Sequence, residues 1–134
     1  MWIEIGESRK IILGIVYRQP FYVFSDFQKS LERCIDLLND RKKSYIICGD
    51  FNIDLSSVNQ AVNNYIDSFQ SRGCSQIINR PTRCPSNINH KNSLLDHIYT
   101  NFNKNFLNCK IIISDISNHL PVLTYFSFLF LKHY

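Results

Sequence analysis

No Cys-x-x-Cys pair occurs among the five cysteines, Cys34, Cys48, Cys74, Cys84 and Cys109, and their number is odd. That disfavours both a zinc site of the usual spacing and a disulfide framework. Reduced thiols in an intracellular protein are the simpler reading. The first residues hold no basic segment followed by an apolar one, so no signal peptide is expected. The most apolar stretch, 120–131, falls short of the roughly 20 residues that cross a bilayer; a strand is expected there, and no membrane. Internal repeats and low-complexity linkers are also missing. What is present is 134 residues, 45% hydrophobic and 19% charged, which suits one domain with one modest core. The net charge of +4 is compatible with a polyanionic partner without requiring one.

Apolar periodicity then divides the chain. Ile3 and Ile5 flank Glu4 and 11–17 is a β-branched run, so the two predict a hairpin across the polar 6–10. Pro20 ends the second strand, because it cannot donate to a ladder. Ser25-x-x-Gln28 has the form of a capping box and predicts a helix start. Phe27, Leu31, Cys34, Ile35 and Leu38 continue from it as one apolar stripe. That helix should end near 39–43 with basic residues in its last turn. A second helix is predicted over 59–72, with Val62, Tyr65, Ile66 and Phe69 buried and Gly73 as its stop. Strands are expected at 75–78, 94–99, 110–113 and 121–131, with a long polar loop over 79–92. A loop of that length usually has a task. The order of elements indicates a mixed α/β sheet layer.

The stretch of most chemical interest is 45–55. Tyr45-Ile46-Ile47-Cys48 reads as a strand buried on both faces. It stops at Gly49, and Asp50 and Asn52 follow, where open α/β sheets place their ligands. A Gly-Asp-x-Asn string also makes ordinary turns, so partners decide its meaning. Tyr17-Arg18, Asp96 and Ser117-Asn118-His119 stand near other predicted strand ends. Each has a plainer reading: Tyr17 as a half-buried strand-end tyrosine, Asp96 as a turn acid. His97 is expected to face away from Asp96, since strand neighbours point to opposite faces. His90 and His133 carry no ligand spacing and are expected in solvent, and Arg41-Lys42-Lys43 reads as a solvated helix end.

Five strings in order, Gly14-Ile15-Val16-Tyr17-Arg18-Gln19-Pro20, Gly49-Asp50-Phe51-Asn52, Arg80-Pro81-Thr82-Arg83, Ser93-Leu94-Leu95-Asp96-His97-Ile98 and Ser117-Asn118-His119-Leu120-Pro121, resemble the endonuclease/exonuclease/phosphatase superfamily. More narrowly they resemble the endonuclease domain of non-LTR (LINE-type) retrotransposons. The resemblance implies an α/β (α+β) fold, a partial DNase I-like four-layer α/β sandwich with a mixed sheet and two main helices. It also implies DNA as partner and Mg²⁺ or Mn²⁺ as a weakly bound cofactor. By the same resemblance Asp50 is the carboxylate that orients or activates the attacking water, and Asn52 the amide that holds it. His119 faces the scissile phosphate, where an imidazolium would offset developing charge; Asp96 orients that ring, and Tyr17 hydrogen-bonds the phosphate. Arg18, Arg80 and Arg83 would contact substrate phosphates. Asp50, Asn52 and, weakly, Asn118 would hold the metal.

Two departures bear on activity. The family's Ser-Asp-His triplet reads Ser117-Asn118-His119 here, which loses a carboxylate that Mg²⁺ prefers. The family's early asparagine and metal-binding glutamate have no counterpart, and neither Glu4 nor Glu7 sits in their context. We therefore expect a single, N-terminally truncated domain over 1–134, a remnant of a retrotransposon DNA endonuclease that is weak or inactive as it stands. A missing N-terminal half and a reverse transcriptase domain are its expected partners, and the location intracellular, with the nucleus one possibility. The alternatives are a catalytically dead nucleic-acid or protein binding module, or a phosphatase of the same superfamily.

Overall fold

A computed structural model describes residues 1–7, 10–85, 89–103, 107–114 and 116–126. Along the chain run β1 (Trp2–Ile5), β2 (Ile11–Tyr17), α1 (Phe24–Asp40), β3 (Ser44–Asp50), α2 (Gln60–Ser71), β4 (Ser75–Gln76), β5 (Asp96–Thr100), β6 (Leu107–Ile111) and β7 (Val122–Phe126). The first five strands form one sheet in the order β1-β2-β3-β5-β4. Only β2 and β3 are parallel, because α1 intervenes and carries the chain back to the same sheet end. β6 and β7 make a separate antiparallel pair. The sheet is mixed and carries two helices, as the family resemblance implies.

The hairpin at 2–17 forms as expected. The central strand β3 is buried on both faces through period-two alternation. Tyr45 and Ile47 join Leu31 and Ile35 of α1 and Tyr65 and Phe69 of α2 in the larger core. Ile46 turns to the other face, where it meets Ile11, Ile78, Leu94 and Ile98, with Cys109, Ile111 and Val122 of the β6–β7 pair packed against them. The helices are tied to each other by Arg72, whose guanidinium reaches Asp36 at 2.9 Å and Glu32 at 3.5 Å. Ser68 also donates to Glu32, and Asn39 Nδ2 donates to Arg72 O at 2.8 Å.

Several boundaries differ from the sequence reading, each for a tertiary reason. α1 begins at Phe24 and Val23 makes no side-chain cap, so the capping box at Ser25 does not form. The ring of Phe24 instead lies 5.7 Å from that of Tyr65, and this packing sets the helix start. The last turn of α1 contains no basic residue; Arg41 to Lys43 lie just past it, and Lys43 pairs with Glu4. α2 begins at Gln60, one residue later than expected, because Asn59 caps it, its Oδ1 accepting from Val62 N at 2.9 Å. β5 starts at Asp96, not 94, because Leu94 N and Leu95 O bond the loop after β3 instead. β4 keeps only two residues. β6 lies three residues earlier at its start than expected and ends before the exposed Ile112 and Ile113. The last strand is described to Phe126; 127–131 of the expected strand, His133 and 86–88 of the long loop lie outside the described residues. No helix among the described residues is long and apolar enough to cross a membrane.

Candidate active site

Tyr17, Asp50 and Asp96 occupy one row of the sheet. Tyr17 is the register partner of Asp50 across the parallel β2–β3 pair. Asp50 is in turn the partner of Asp96 across the antiparallel β3–β5 pair. Alternation puts all three on the face of Leu13, Ile46, Cys48 and Ile98, away from the helices. His97 consequently points the other way, into the helix-side core, with its ring stacked on Phe51 at 4.5 Å. Gly49 makes the row possible. Its φ is +145°, and a Cβ there would stand 1.8 Å from Val16 O on the neighbouring strand. Glycine alone permits that approach.

His119 reaches the row from outside the sheet. Its Nδ1 lies 3.1 Å from Asp96 Oδ2. The segment 80–85 mediates between the two, and this is the task of the long polar loop. Arg83 bridges both Ser93 and His119 by its backbone. Leu120 N donates to Thr82 O at 2.7 Å and Cys84 N to Asn118 O at 2.8 Å. Thr82, fully buried, accepts at Oγ1 from Asp96 N at 3.0 Å and Leu95 N at 3.2 Å. The sequence reading did not single out Thr82; its place between Pro81 and Arg83 was the only signal.

Asp50, Asp96 and His119 offer donor atoms that all lie within 4.8 Å of one another. Two carboxylates and an imidazole are a set that a divalent cation can use. Of the expected ligands Asp50 belongs to this group of acidic and histidine donors, which Asp96 and His119 complete. One Asp50 oxygen accepts from Asn52 N at 2.9 Å, and Asn52 Nδ2 donates to Arg18 O at 2.7 Å. Asn118 is exposed, with its main-chain carbonyl accepting from Cys84 N. Tyr17 is not half-buried but 65% exposed. Arg80 is exposed and lines a groove with Lys110.

Arg18 sits elsewhere than the strand-end string implied. It is only 8% exposed, and its donors are directed to backbone carbonyls: Nε to Phe51 O, Nη2 to Asn52 O and Nη1 to Tyr22 O. A cleft of about 520 Å³ opens beside the row, with Leu13, Ile46, Ile98 and Val122 as apolar lining and Asp96 and His119 as polar lining. Burial raises the pKa of Cys48, which also lines it, so its thiol stays protonated and unreactive at neutral pH. Burial likewise pushes the His97 ring down to about 4, against the opposing effect of its backbone acceptors. Asp54 is held below the usual carboxylate value: burial raises it, but bonds from Ser56 and from Leu94 N outweigh that.

Residues 11–123 match the model of a family described as endonuclease-reverse transcriptase. No curated protein matches the chain by sequence. Among solved structures, the endonuclease domain of TRAS1, a telomere-specific non-LTR retrotransposon, is similar with a TM-score of 0.74 at 11% identity, covering 95% of this chain and 63% of that one. An endonuclease/exonuclease/phosphatase family protein from Leptotrichia buccalis is similar with a TM-score of 0.68 at 20% identity, covering 95% and 53%. The 3′-5′ exonuclease NExo from Neisseria meningitidis gives 0.70 at 15%, covering 95% and 65%. The chain thus spans between 53% and 65% of the length of these structures. At such identities the likeness concerns the fold.

Proposed function

The chain belongs to the endonuclease-reverse transcriptase family, and we propose that its site is that of a divalent-metal-dependent DNA endonuclease of the non-LTR retrotransposon type. Its reaction is hydrolysis of one phosphodiester to leave a nick, with low turnover in the chain as it stands. The observation that carries this reading is the row Tyr17–Asp50–Asp96 with His119 at 3.1 Å from its last member.

Each residue has a task in that reaction. Asp50, with the carbonyl oxygen of the Asn52 side chain, orients the attacking water and takes up its proton. His119, held at Nδ1 by Asp96, presents its other nitrogen to a phosphate oxygen, where negative charge grows in the transition state. The Tyr17 phenol, exposed on the same face, donates to the phosphate and fixes its place in the row. Arg80 and Arg83 contact flanking phosphates, which positions DNA without reading its sequence. Asp50 and Asp96 would hold the cation, which when bound would polarise a phosphoryl oxygen as a Lewis acid; both ring nitrogens of His119 are committed, one to Asp96 and one to the phosphate. Carboxylate donors suit Mg²⁺ and Mn²⁺ alike. Low turnover follows from the neutral Asn118 and from a cluster with only two carboxylates among the described residues.

Nicking of supercoiled plasmid with Mg²⁺ or Mn²⁺, with EDTA and His119→Ala as controls, tests the proposal. Open circles should accumulate only with metal, and the substitution should slow this on the order of a hundredfold. Activity that survives His119→Ala removes this row from the chemistry. Salt-dependent DNA binding without any nicking would support the second reading, a binding module that keeps the fold. The neutral Asn118, at the position where the family resemblance implies a carboxylate, is what favours that reading.

A further inference from the structure

Beyond the end of β3 the chain leaves the ladder, and three successive carbonyls need donors from elsewhere. Phe51 O accepts from Arg18 Nε at 2.8 Å and Asn52 O from Arg18 Nη2 at 2.6 Å. Ile53 O lies 2.9 Å from His97 Nε2, which also approaches Leu94 O at 3.3 Å. Both partners of that nitrogen are pure acceptors, so Nε2 carries a hydrogen and donates to both. Two side chains, one buried and one nearly so, thus take up three consecutive carbonyls of the loop that holds Asp50 and Asn52.

We infer that Arg18 and His97 are positioning residues, a two-sided cradle that fixes Asp50 against Asp96 and His119. The loop needs one. Asn52 has φ +49°, a left-handed conformation that is strained for a non-glycine residue and persists only where its surroundings over-determine it. Arg18 supplies most of that determination: besides the two side-chain bonds, its N–H donates to Asp50 O at 3.0 Å and its carbonyl receives Asn52 Nδ2. The third arm of the fork is anchored at Tyr22 O, at 2.6 Å. Only a planar guanidinium can serve neighbouring carbonyls and an anchor at once. His97 works from the opposite side. Its ring is stacked on Phe51 with an interplanar angle of 22°. Its bifurcated bond ties Ile53 to Leu94, so the Asp50 loop and the Asp96 strand entry are fastened to one another. Phe51 N to Leu95 O and Leu55 N to Leu94 O run alongside.

What the loop is positioned for rests on the proposed nuclease site; the cradle itself does not. Three variants separate donor from filler: His97→Phe keeps the ring on Phe51 and loses the hydrogen, His97→Gln keeps a donor at the ε position and loses the ring, and Arg18→Lys breaks the fork. Amide hydrogen exchange at Phe51 and Leu55 is the first measurement, Mn²⁺ affinity by water-proton relaxation the second. His97→Phe and Arg18→Lys should each lose on the order of tenfold protection at those two amides while β2–β3 ladder amides stay protected, and His97→Gln should keep most of it. Mn²⁺ affinity should fall in the same order, by roughly tenfold or more for the first two. Should His97→Phe fail to fold, Arg18→Lys carries the same expectation without altering ring packing. Wild-type protection in Arg18→Lys, or better protection in His97→Phe than in His97→Gln, overturns the cradle and leaves His97 as core filler. Absence of Mn²⁺ binding to the unaltered protein with the exchange pattern intact would instead overturn the metal-site reading.

Discussion

Asp96 and His119 lie 23 residues apart, one on an interior strand and the other outside the sheet, and meet through an Oδ2–Nδ1 contact of 3.1 Å. Neither reaches the other unaided. Asp96 is placed by its register opposite Asp50, and His119 by the backbone bridge to Arg83. The pair is therefore a product of two separate pairings, and the segment 80–85 touches both partners, Thr82 Oγ1 accepting from Asp96 N and Arg83 bridging His119.

Asp96→Asn keeps the shape and one acceptor but removes the charge facing His119. Nicking should fall on the order of a hundredfold with little change in DNA affinity. Plasmid-nicking kinetics beside a fluorescence-anisotropy titration would separate the two effects. A variant that weakens binding and leaves the rate intact would place Asp96 outside the chemistry.

Asn118→Asp runs in the opposite direction. By the family resemblance position 118 serves the cation, so a carboxylate restored there should tighten Mg²⁺ or Mn²⁺ by on the order of tenfold and raise nicking with it. Calorimetric titration of the metal reads this directly, and unchanged affinity would mean that position 118 does not face the cation.

Gly49→Ala should cost roughly 2 kcal/mol or more, since both the backbone conformation and the 1.8 Å approach to Val16 O exclude a Cβ. The urea midpoint should drop. Because Asp50 is the next residue, nicking should suffer beyond the loss of folded protein.

Thr82→Val preserves volume and removes the oxygen that accepts from both Leu95 N and Asp96 N. Leaving buried donors unpaired should cost about 1–3 kcal/mol. A folded Thr82→Val protein that nicks normally would show that Asp96 holds its place without this bond.

Acid should destabilise the fold. Burial raises the Glu32 carboxyl, but bonds from Ser68 and Gln28 and the charge of Arg72 bring it below its usual 4.5; Asp54 lies below its usual 3.8. Carboxyls lowered in the folded state contribute stability that is present above their unfolded values and lost as pH falls through the folded ones. His97 acts in the same sense, since the unfolded chain takes its proton near 6.5 while burial holds the folded ring near 4. Unfolding free energy should be level above about pH 6.5, decline below it and steepen under about 4.5. Urea titrations across that span check it; a stability that rises on acidification would contradict the assignment.

The elements were largely legible because their periodicity is local. The stripe of α1, the buried face of α2 and the buried run Tyr45 to Cys48 all follow from spacing within a few residues. What was misread was set from a distance. Ser25 had the form of a cap, but Phe24 packing on Tyr65 moved the helix start. Leu94 and Leu95 looked like strand, but the loop after β3 took their polar groups. Arg18 read as a phosphate contact because it follows Tyr17 at a strand end; the loop 51–53 lies 33 residues and more along the chain and claims its donors. Thr82 carried too little signal of its own to be noticed.

Local pattern alone was enough to mark most segments as strand or helix and to show which residue types stand near the strand ends, although β3 runs one residue past Gly49 to include Asp50. Alternation along a strand even settled that Asp96 and His97 face opposite ways. The tertiary structure alone decided the strand order β1-β2-β3-β5-β4 and its register, and with them the row Tyr17–Asp50–Asp96, the arrival of His119 and the inward turn of Arg18. The reason is physical: side-chain period is a property of one strand, whereas register is fixed between strands by the packing of both faces, and no residue carries that information alone.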